Sequence, residues 1–107
     1  MTPLTQKFYC YVLLCKNGNY YTGYTTNLAR RYQEHVAGSA KCKYTRSFPP
    51  IKIAQCWQLK ADKALAMQVE RYIKKLAKAA KQQLVLHPGR LLEIFPTISP
   101  LPLDSVF

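Results

Sequence analysis

Two short segments near the amino end place tyrosines where a phenolic hydroxyl could take part in chemistry. They read Tyr9-Cys10-Tyr11 and Tyr20-Tyr21-Thr22-Gly23, so Tyr11 and Tyr21 stand ten positions apart. On paired strands the two rings can share one face and converge on one point. With an ordinary pKa of about 10, tyrosine is a poor base at neutral pH unless cations or a metal lower that pKa. A basic pocket would favour such lowering, whereas simple packing of aromatic rings in a sheet is the alternative.

A second candidate group lies on a predicted helix, where Arg31 and His35 stand four residues apart and therefore share one side. A guanidinium there could stabilise the extra negative charge of a phosphorane-like transition state. The imidazole could donate to a phosphate or relay a proton. A solvated basic face with a surface histidine is the alternative that these residues leave open.

A third candidate is Glu70, one of only five acidic residues, which lies among Arg71, Lys74 and Lys75 on a second predicted helix. An isolated carboxylate in a basic field could anchor Mg²⁺, because this ion usually takes one or two protein oxygens and completes its shell with water and substrate phosphate. An ordinary ion pair between Glu70 and Lys74, four residues later, is the competing interpretation.

The charge of the chain favours a polyanionic partner. Sixteen Lys and Arg residues against five Asp and Glu give a formal net charge of +11 over 107 residues. Nucleic acid is the first candidate, because neutralising phosphates and releasing their counterions supply most non-specific affinity. A ribosome-associated protein, an anionic membrane surface and solubility alone are the alternatives.

The cysteines and the hydropathy pattern narrow the class of protein further. The four cysteines form no CxxC pair, and neither histidine stands at zinc-ligand spacing from them, so we expect reduced thiols and no structural zinc site. No apolar run approaches the roughly 20 residues of a membrane span, and the amino end lacks the pattern of a secretory signal. We therefore expect a cytoplasmic protein that does not enter membranes.

Local patterns predict six elements that would position these residues. A β-hairpin is predicted over residues 8–14 and 20–24, around the turn at 16–19. Thr25, Thr26 or Asn27 would cap a helix whose apolar positions recur every four residues until Gly38. Those positions are Leu28, Tyr32 and Val36.

The rest of the chain predicts a third strand and two more helices. Residues 38–50 read as a basic loop, and residues 51–59 as a strand with its large apolar side chains on one side. Asp62 would cap a helix over residues 63–78, followed by a further turn or two before His87. The apolar side of the strand comprises Ile51, Ile53, Trp57 and Leu59, and that of the helix Leu65, Val69, Tyr72, Ile73 and Leu76.

The predicted fold class is an α/β (α+β) sandwich, with a small three-stranded antiparallel sheet flanked by helices in the order β-β-α-β-α-α. Residues 1–95 would form a single domain. Residues 96–107 contain prolines at 96, 100 and 102, so we expect an extended or disordered tail without regular structure.

Together these pieces resemble the GIY-YIG nuclease superfamily, and most closely its small single-domain bacterial branch, the YhbQ-like proteins. The similarity runs from about Phe8 to Leu86. The two triplets 9–11 and 21–23 stand where the signature triplets are expected, and the segments 26–35, 43–46 and 70–75 also resemble that branch. The triplets alone are a weak signal, but the spacing through Arg31 and His35 and the downstream Glu70 make the joint match specific.

The resemblance implies a site in which Tyr11, Tyr21, Arg31, His35 and Glu70 converge. One tyrosine would help to activate the attacking water, Arg31 would stabilise the transition state, and His35 would assist at the phosphate. Glu70 would hold one Mg²⁺ or Mn²⁺ ion, acting as a Lewis acid on the phosphate and leaving oxygen. We also expect nucleic-acid contacts from six further residues: Gly23, which would allow close backbone approach, Arg30, Lys43, Tyr44, Arg46 and Lys74.

The chain also departs from the pattern of the family. Tyr9 and Cys10 stand where the first triplet has Gly and Ile, and Thr22 stands where the second has Ile. More distantly similar members, such as excision-repair incision proteins and homing endonucleases, carry extra DNA-binding domains. Target selection by this chain would therefore be weak, or substrate shape or a protein partner would supply it.

The functional prediction is a divalent-metal-dependent endonuclease that hydrolyses phosphodiester bonds in single-stranded or branched DNA, in DNA repair or genome maintenance. The alternative is a non-catalytic nucleic-acid-binding module in which the tyrosines and Arg31 grip bases and phosphates. An accessory protein on RNA or the ribosome is a third interpretation of the charge. The oligomeric state is left open.

Overall fold

A computed structural model describes residues 7–60 and 62–102 of the chain. The strands are β1 (Phe8–Cys15), β2 (Tyr20–Thr25), β3 (Pro50–Leu59) and β4 (Ser99–Pro100). The helices are α1 (Leu28–Ala37), α2 (Lys43–Ser47), α3 (Lys63–Lys74) and α4 (Lys78–Leu86), and a 3₁₀ helix follows over Pro88–Glu93. No helix in these two stretches is long and apolar enough to cross a membrane.

The four strands form one antiparallel sheet in the order β2-β1-β3-β4. The predicted α/β architecture with its antiparallel sheet is confirmed, and the sheet has one strand more than predicted. Its centre is β1, whose sequence FYCYVLLC suits a strand with neighbours on both edges. The β1–β2 turn contains Gly18 at a φ of 81°, and in the register of this hairpin Tyr11 lies opposite Gly23.

The side chains of β1 alternate between two cores, one on each face of the sheet. Cys10 and Val12 belong to the first core, which α3 covers with Ala66, Val69 and Ile73. The second core, on the opposite face, contains Tyr11, Leu13, Cys15, Leu28, Ile53 and Cys56. The apolar side of α3 thus packs on the face opposite the one on which Tyr11 is buried.

The prediction that the large apolar residues of β3 share one side is wrong. The register between β1 and β3 shifts twice, and the first shift passes over Ala54. An extra residue of this kind reverses the alternation of side chains along the strand. Ile53 consequently packs with Tyr11 in the second core, whereas Trp57 packs in the first. Ile51 lies at the second shift and is 56% exposed.

Helix α1 begins and ends as its capping residues predict. The Asn27 side chain accepts a hydrogen bond from the Arg30 amide, and Gly38 ends the helix with a left-handed φ of 71°. The buried side of the helix differs from the prediction, because Val36 is 51% exposed and His35 only 1%. Since His35 is seven residues after Leu28, two full turns place both on the same face.

Two connecting segments also differ from their predictions. Residues 43–47 of the predicted basic loop form the short helix α2, in which Thr45 is buried. Asp62 caps α3 as predicted, by accepting from the Leu65 amide, but this helix ends at Lys74 rather than Lys78. The chain becomes extended at Ala77 and then begins α4.

The expectation that the prolines exclude regular structure beyond Phe95 is wrong at Ser99–Pro100. Ser99–Pro100 pairs with β3, and the Leu101 amide donates to the carbonyl of Cys56. Ile98 is 2% exposed and belongs to the first core. Proline is tolerated at the edge of a sheet because its missing N–H is not needed there. Residues 103–107 lie outside the described residues.

Candidate active site

The β1–β2 hairpin brings the Tyr11 hydroxyl against the backbone of Gly23. A Cβ atom added to Gly23 would lie 2.5 Å from the Tyr11 Oη and 2.7 Å from its Cζ. Since non-bonded carbon atoms pack at about 3.5–4.0 Å, only glycine leaves room for this ring. The glycine of the second triplet therefore determines where the tyrosine of the first triplet lies.

The Gly23→Ala substitution should lower the free energy of unfolding by about 1–3 kcal/mol, because the new methyl group overpacks the site and displaces the Tyr11 ring. Urea denaturation measures this loss. Gly89→Ala is the matched control, since a Cβ atom at Gly89 meets nothing within 4 Å. Equal stability of the two variants would show that the ring moves aside without cost.

A chain of buried hydrogen bonds runs inward from Tyr11. The Tyr11 Oη lies 2.8 Å from the His35 Nε2, and the His35 Nδ1 lies 2.6 Å from the Thr45 Oγ1. The Thr45 hydroxyl donates to the carbonyl of Cys42 over 3.3 Å, so it must accept from Nδ1–H. This network assigns the proton to Nδ1, which leaves Nε2 as the acceptor and the Tyr11 O–H as its donor.

The buried location sets the protonation states of Tyr11 and His35. Burial and the nearby Arg31 lower the pKa of His35 to about 4, which the Glu34 carboxylate opposes. Burial is also the main cause of a raised pKa at Tyr11, to which Tyr21 adds and which Arg31 opposes. The expectation that basic surroundings would lower the pKa of Tyr11 is therefore not met. At neutral pH the site holds a protonated phenol and a neutral imidazole.

The lowered pKa of His35 predicts a loss of stability in acid. The unfolded chain protonates this histidine below its ordinary pKa of 6.5, whereas the folded protein does so only near 4. The contribution of His35 to stability is therefore fully present above pH 6.5 and is lost as the pH drops from 6.5 toward 4, by about 3 kcal/mol in total. Urea midpoints should show this fall and lose it in His35→Gln. The exposed His87→Gln variant should keep it, and an equal fall in all three proteins would contradict the assignment.

Tyr21 joins the same group of side chains from β2. Its ring lies 5.1 Å from that of His35, and the Lys74 Nζ lies 5.9 Å from its centre. Burial is the largest cause of its raised pKa, Glu70 raises it further, and Arg31 lowers it. Because Tyr11 and Tyr21 both contact His35, the two tyrosines converge as their strand positions predict.

An open cleft of about 500 Å³ collects most of the predicted site residues. Its lining includes Tyr11, Tyr21, Gly23, Arg30, Arg31 and Glu70. His35 lies behind the cleft, where it contacts both tyrosines. Lys74 contacts Glu70, whereas Lys43, Tyr44 and Arg46 lie on α2 and do not line the cleft.

Several side chains of the site were missed from the sequence. Phe8, Tyr24, Thr25, Thr26 and Lys63 also line the cleft. Lys63 could have been predicted from its spacing, because it precedes Glu70 by seven residues on α3 and therefore lies on the same face of the helix. No local pattern indicated Thr45, whose contact with His35 depends on the packing of α2 against α1.

The position of Glu70 agrees with both of its interpretations, as a cation ligand and as the partner of Lys74 in an ion pair. Its carboxylate lines the cleft, and its Oε2 also lies 3.8 Å from the Lys74 Nζ, with side-chain exposures of 22% and 49%. A long and partly exposed pair of this kind contributes little to stability. The carboxylate can therefore exchange the lysine for another cation without a large cost.

Arg31 borders the cleft, and its Nε makes no hydrogen bond within the described part of the chain. Its Nε lies 3.2 Å from the Glu34 Oε1, but the orientation does not make a hydrogen bond, and this buried atom has no other partner among the described residues. A second cleft, of about 340 Å³, lies around Tyr9, Asn27, Gln58 and Leu101 and has no charged residue in its lining. The charged groups therefore identify the first cleft as the candidate active site.

Comparison with known proteins identifies the family. Residues 7–83 match the family model of the GIY-YIG catalytic domain. The chain belongs to the GIY-YIG family. This family is a nuclease superfamily, so the family predicted from the tyrosine triplets and the downstream glutamate is confirmed.

Small relatives of this GIY-YIG protein support the predicted branch. It is 42% identical over 81 residues to the UPF0213 protein BH0048 of Halalkalibacterium halodurans, covering 76% of this chain and 84% of that protein. It is 46% identical over 77 residues to the UPF0213 protein NP_0776A of Natronomonas pharaonis, covering 72% and 88%. The solution NMR structure of BH0048 matches with a TM-score of 0.47 and 40% identity over 74% of this chain and 82% of that one.

Proposed function

We propose that this GIY-YIG protein is a divalent-metal-dependent endonuclease that hydrolyses phosphodiester bonds in single-stranded or branched DNA. The observation that carries the proposal is that one cleft contains a proton-transfer pair, a guanidinium and a carboxylate. These are Tyr11 with His35 behind it, Arg31 and Glu70. Phosphodiester hydrolysis needs all three: the pair removes a proton from water, the guanidinium stabilises negative charge, and the carboxylate is a ligand for a cation.

Tyr11 acts in the proposal as a relay, because burial opposes a free phenolate. The attacking water transfers a proton to the Tyr11 oxygen while the original phenolic proton moves to the His35 Nε2, 2.8 Å away. The water oxygen then bonds to phosphorus, and the departing alkoxide takes a proton from solvent. Thr45 keeps the imidazole oriented during the transfer, since its hydroxyl holds the Nδ1–H.

The cations of the cleft stabilise the phosphate. Arg31 lines the cleft together with both tyrosines, and a guanidinium at that place stabilises the negative charge that develops on the phosphate oxygens. Arg31 also lowers the pKa of His35, and the negative charge of a bound phosphate offsets this effect. The bound phosphate therefore makes the imidazole a better proton acceptor. Arg30 and Lys63 line the cleft and hold neighbouring phosphates.

Glu70 is the proposed ligand of one Mg²⁺ or Mn²⁺ ion. The donor set fits such an ion, which needs only one or two protein oxygens besides water and phosphate. Among residues 7–60 and 62–102, no group of three or more His, Cys, Asp or Glu side chains could form a closed metal site. When bound, the ion would supply Lewis-acid stabilisation of the phosphate and the leaving oxygen. Lys74 would then be free to pair with the DNA backbone.

Cleavage assays test this proposal directly. Labelled single-stranded, duplex and branched DNA are incubated with the protein in Mg²⁺, Mn²⁺ or EDTA, and the Arg31→Ala variant is assayed beside them. We expect metal-dependent cutting that Arg31→Ala reduces by about a hundredfold to a thousandfold. Cutting that persists in EDTA, or that Arg31→Ala leaves unchanged, would overturn the proposed site.

A non-catalytic nucleic-acid-binding module is the second candidate function. The raised pKa values of both site tyrosines and the pairing of Glu70 with Lys74 favour it, because neither feature by itself activates water. Salt-sensitive binding without cutting on every substrate, in Mn²⁺ as well as Mg²⁺, would select it.

The biological setting forms part of the proposal. We propose a cytoplasmic role in DNA repair or genome maintenance, which agrees with four free thiols. RNA is the second substrate to test, since +11 net charge attracts either nucleic acid. A protein partner is the proposed source of targeting.

A further inference from the structure

A row of three aromatic rings leads from the candidate active site to the protein surface. Tyr21 stacks on Tyr44 with 5.6 Å between ring centres and 24° between ring planes. Tyr44 in turn contacts Phe48, with 5.3 Å between centres. Phe48 is 41% exposed, so the last ring of this aromatic row is open to solvent. The row begins at a residue of the cleft and ends outside it.

The central ring of the row is held in place before any ligand arrives. Tyr44 lies on α2 and Phe48 directly follows that helix, where its amide donates to the Tyr44 carbonyl over 2.9 Å. The Asn17 Nδ2 donates to the Tyr44 hydroxyl over 3.0 Å, which ties α2 to the β1–β2 turn. A platform fixed in this way loses little conformational entropy when a flat molecule stacks on it.

The surroundings of the row favour a polyanion over an apolar peptide. Lys43 and Arg46 lie on α2 together with Tyr44 and are exposed. The sequence between Glu34 and Asp62 contains no acidic residue. Exposed aromatic rings among cations are the combination that binds single-stranded nucleic acid, because the rings stack on bases while the cations pair with phosphates.

We propose that the exposed end of the aromatic row is a stacking platform for unpaired bases of single-stranded DNA, in which Phe48 receives the base while Tyr44 and Tyr21 support its ring from the side of the cleft. Bases within a duplex are already paired and stacked on each other, so the row favours single strands or the unpaired arms of branched DNA. For its effect on cleavage, this inference rests on the proposed nuclease function. The binding itself does not depend on cutting.

The experiment compares binding of an oligothymidylate with binding of a blunt duplex, both in EDTA so that no cutting occurs. Losing a base–aromatic stack of about 1–3 kcal/mol lowers the affinity about fivefold or more. Phe48→Ala should therefore weaken single-strand binding at least about fivefold, and it should weaken duplex binding less than about twofold. Ile94→Ala is the matched control, because Ile94 is 47% exposed and its neighbours Leu91 and Phe95 pack with the first core, whereas Tyr21 and Tyr44 pack against the second. It should bind both probes as the unaltered protein does.

The Phe48→Trp variant provides a second measurement that does not depend on comparing affinities. The natural Trp57 is fully buried, so added emission that responds to solvent comes from position 48. We expect oligothymidylate to quench this emission and the duplex to leave it nearly unchanged. Equal losses for both probes in Phe48→Ala, no loss for either, or unquenched emission at saturating oligothymidylate would overturn the platform.

The outcomes for the platform and for the nuclease are separable. A protein that binds single strands through Phe48 but cuts nothing in Mg²⁺ or Mn²⁺ would retain the platform and lose the proposed nuclease function. A protein that cuts DNA in a metal-dependent manner, with single-strand affinity indifferent to Phe48, would retain the nuclease and lose the platform.

Discussion

Replacing Glu70 by alanine should reduce metal-dependent cleavage by at least about a thousandfold, because the variant loses the carboxylate that would hold the cation and with it several kcal/mol of transition-state stabilisation. DNA binding measured in EDTA should be unchanged or tighter, since a negative charge leaves a basic cleft. Gel-based cleavage and anisotropy titrations on the same labelled strand measure both effects.

Two control variants separate metal binding from the other roles of this carboxylate. Lys74→Met removes the ion pair at 3.8 Å but keeps Glu70, so it should weaken DNA binding, retain most of the cleavage rate at saturating DNA and leave the required Mg²⁺ concentration unchanged. Glu93→Ala removes an exposed acidic residue of the 3₁₀ helix and should change nothing. If Lys74→Met lost as much activity as Glu70→Ala, the ion pair rather than the cation would be the function of Glu70.

Replacing Tyr11 by phenylalanine should reduce cleavage about a hundredfold to ten-thousandfold, the range expected when a positioned proton-transfer group is removed. The ring remains, so the second core keeps its packing. The His35 Nε2 loses its donor within a buried site, which should also lower the free energy of unfolding by about 1–3 kcal/mol. Single-turnover cleavage and urea denaturation measure the two losses separately.

Tyr20→Phe is the matched control for this substitution. Tyr20 lies in β2, next to Tyr21, but packs against the first core on the other face of the sheet. Its variant should cleave at the rate of the unaltered protein. A Tyr11→Phe variant that cleaved equally well would transfer the role of proton acceptor to Tyr21, and Tyr21→Phe would then be the inactive variant.

The sequence predicts the composition of the site better than its chemistry. The spacing of the triplets, the i,i+4 pair of Arg31 and His35, and a lone glutamate on a helix are local features, and the side chains that they indicate meet around one cleft. The protonation states could not be predicted in the same way. They depend on burial, and burial reversed the expected direction of the Tyr11 pKa.

Local rules also predicted the capped ends of helices well and the faces of elements less well. Asn27, Gly38 and Asp62 cap their helices as expected, because a capping hydrogen bond joins residues only a few positions apart. The face occupied by Ile53 was missed, since a bulge arises from the register between two strands far apart in sequence.

What the sequence determined by itself is the family, the antiparallel sheet flanked by helices, and the set of side chains available for chemistry, because these follow from residue types, short spacings and helix caps. Only the tertiary structure decided that His35 is buried between Tyr11 and Thr45, which precede and follow it by 24 and 10 residues. The proton on its Nδ1, the raised pKa of Tyr11 and the stacking of Tyr44 beside Tyr21 follow from that packing. The physical reason is that hydrogen-bond partners and desolvation are properties of three-dimensional surroundings, which no local pattern in the sequence contains.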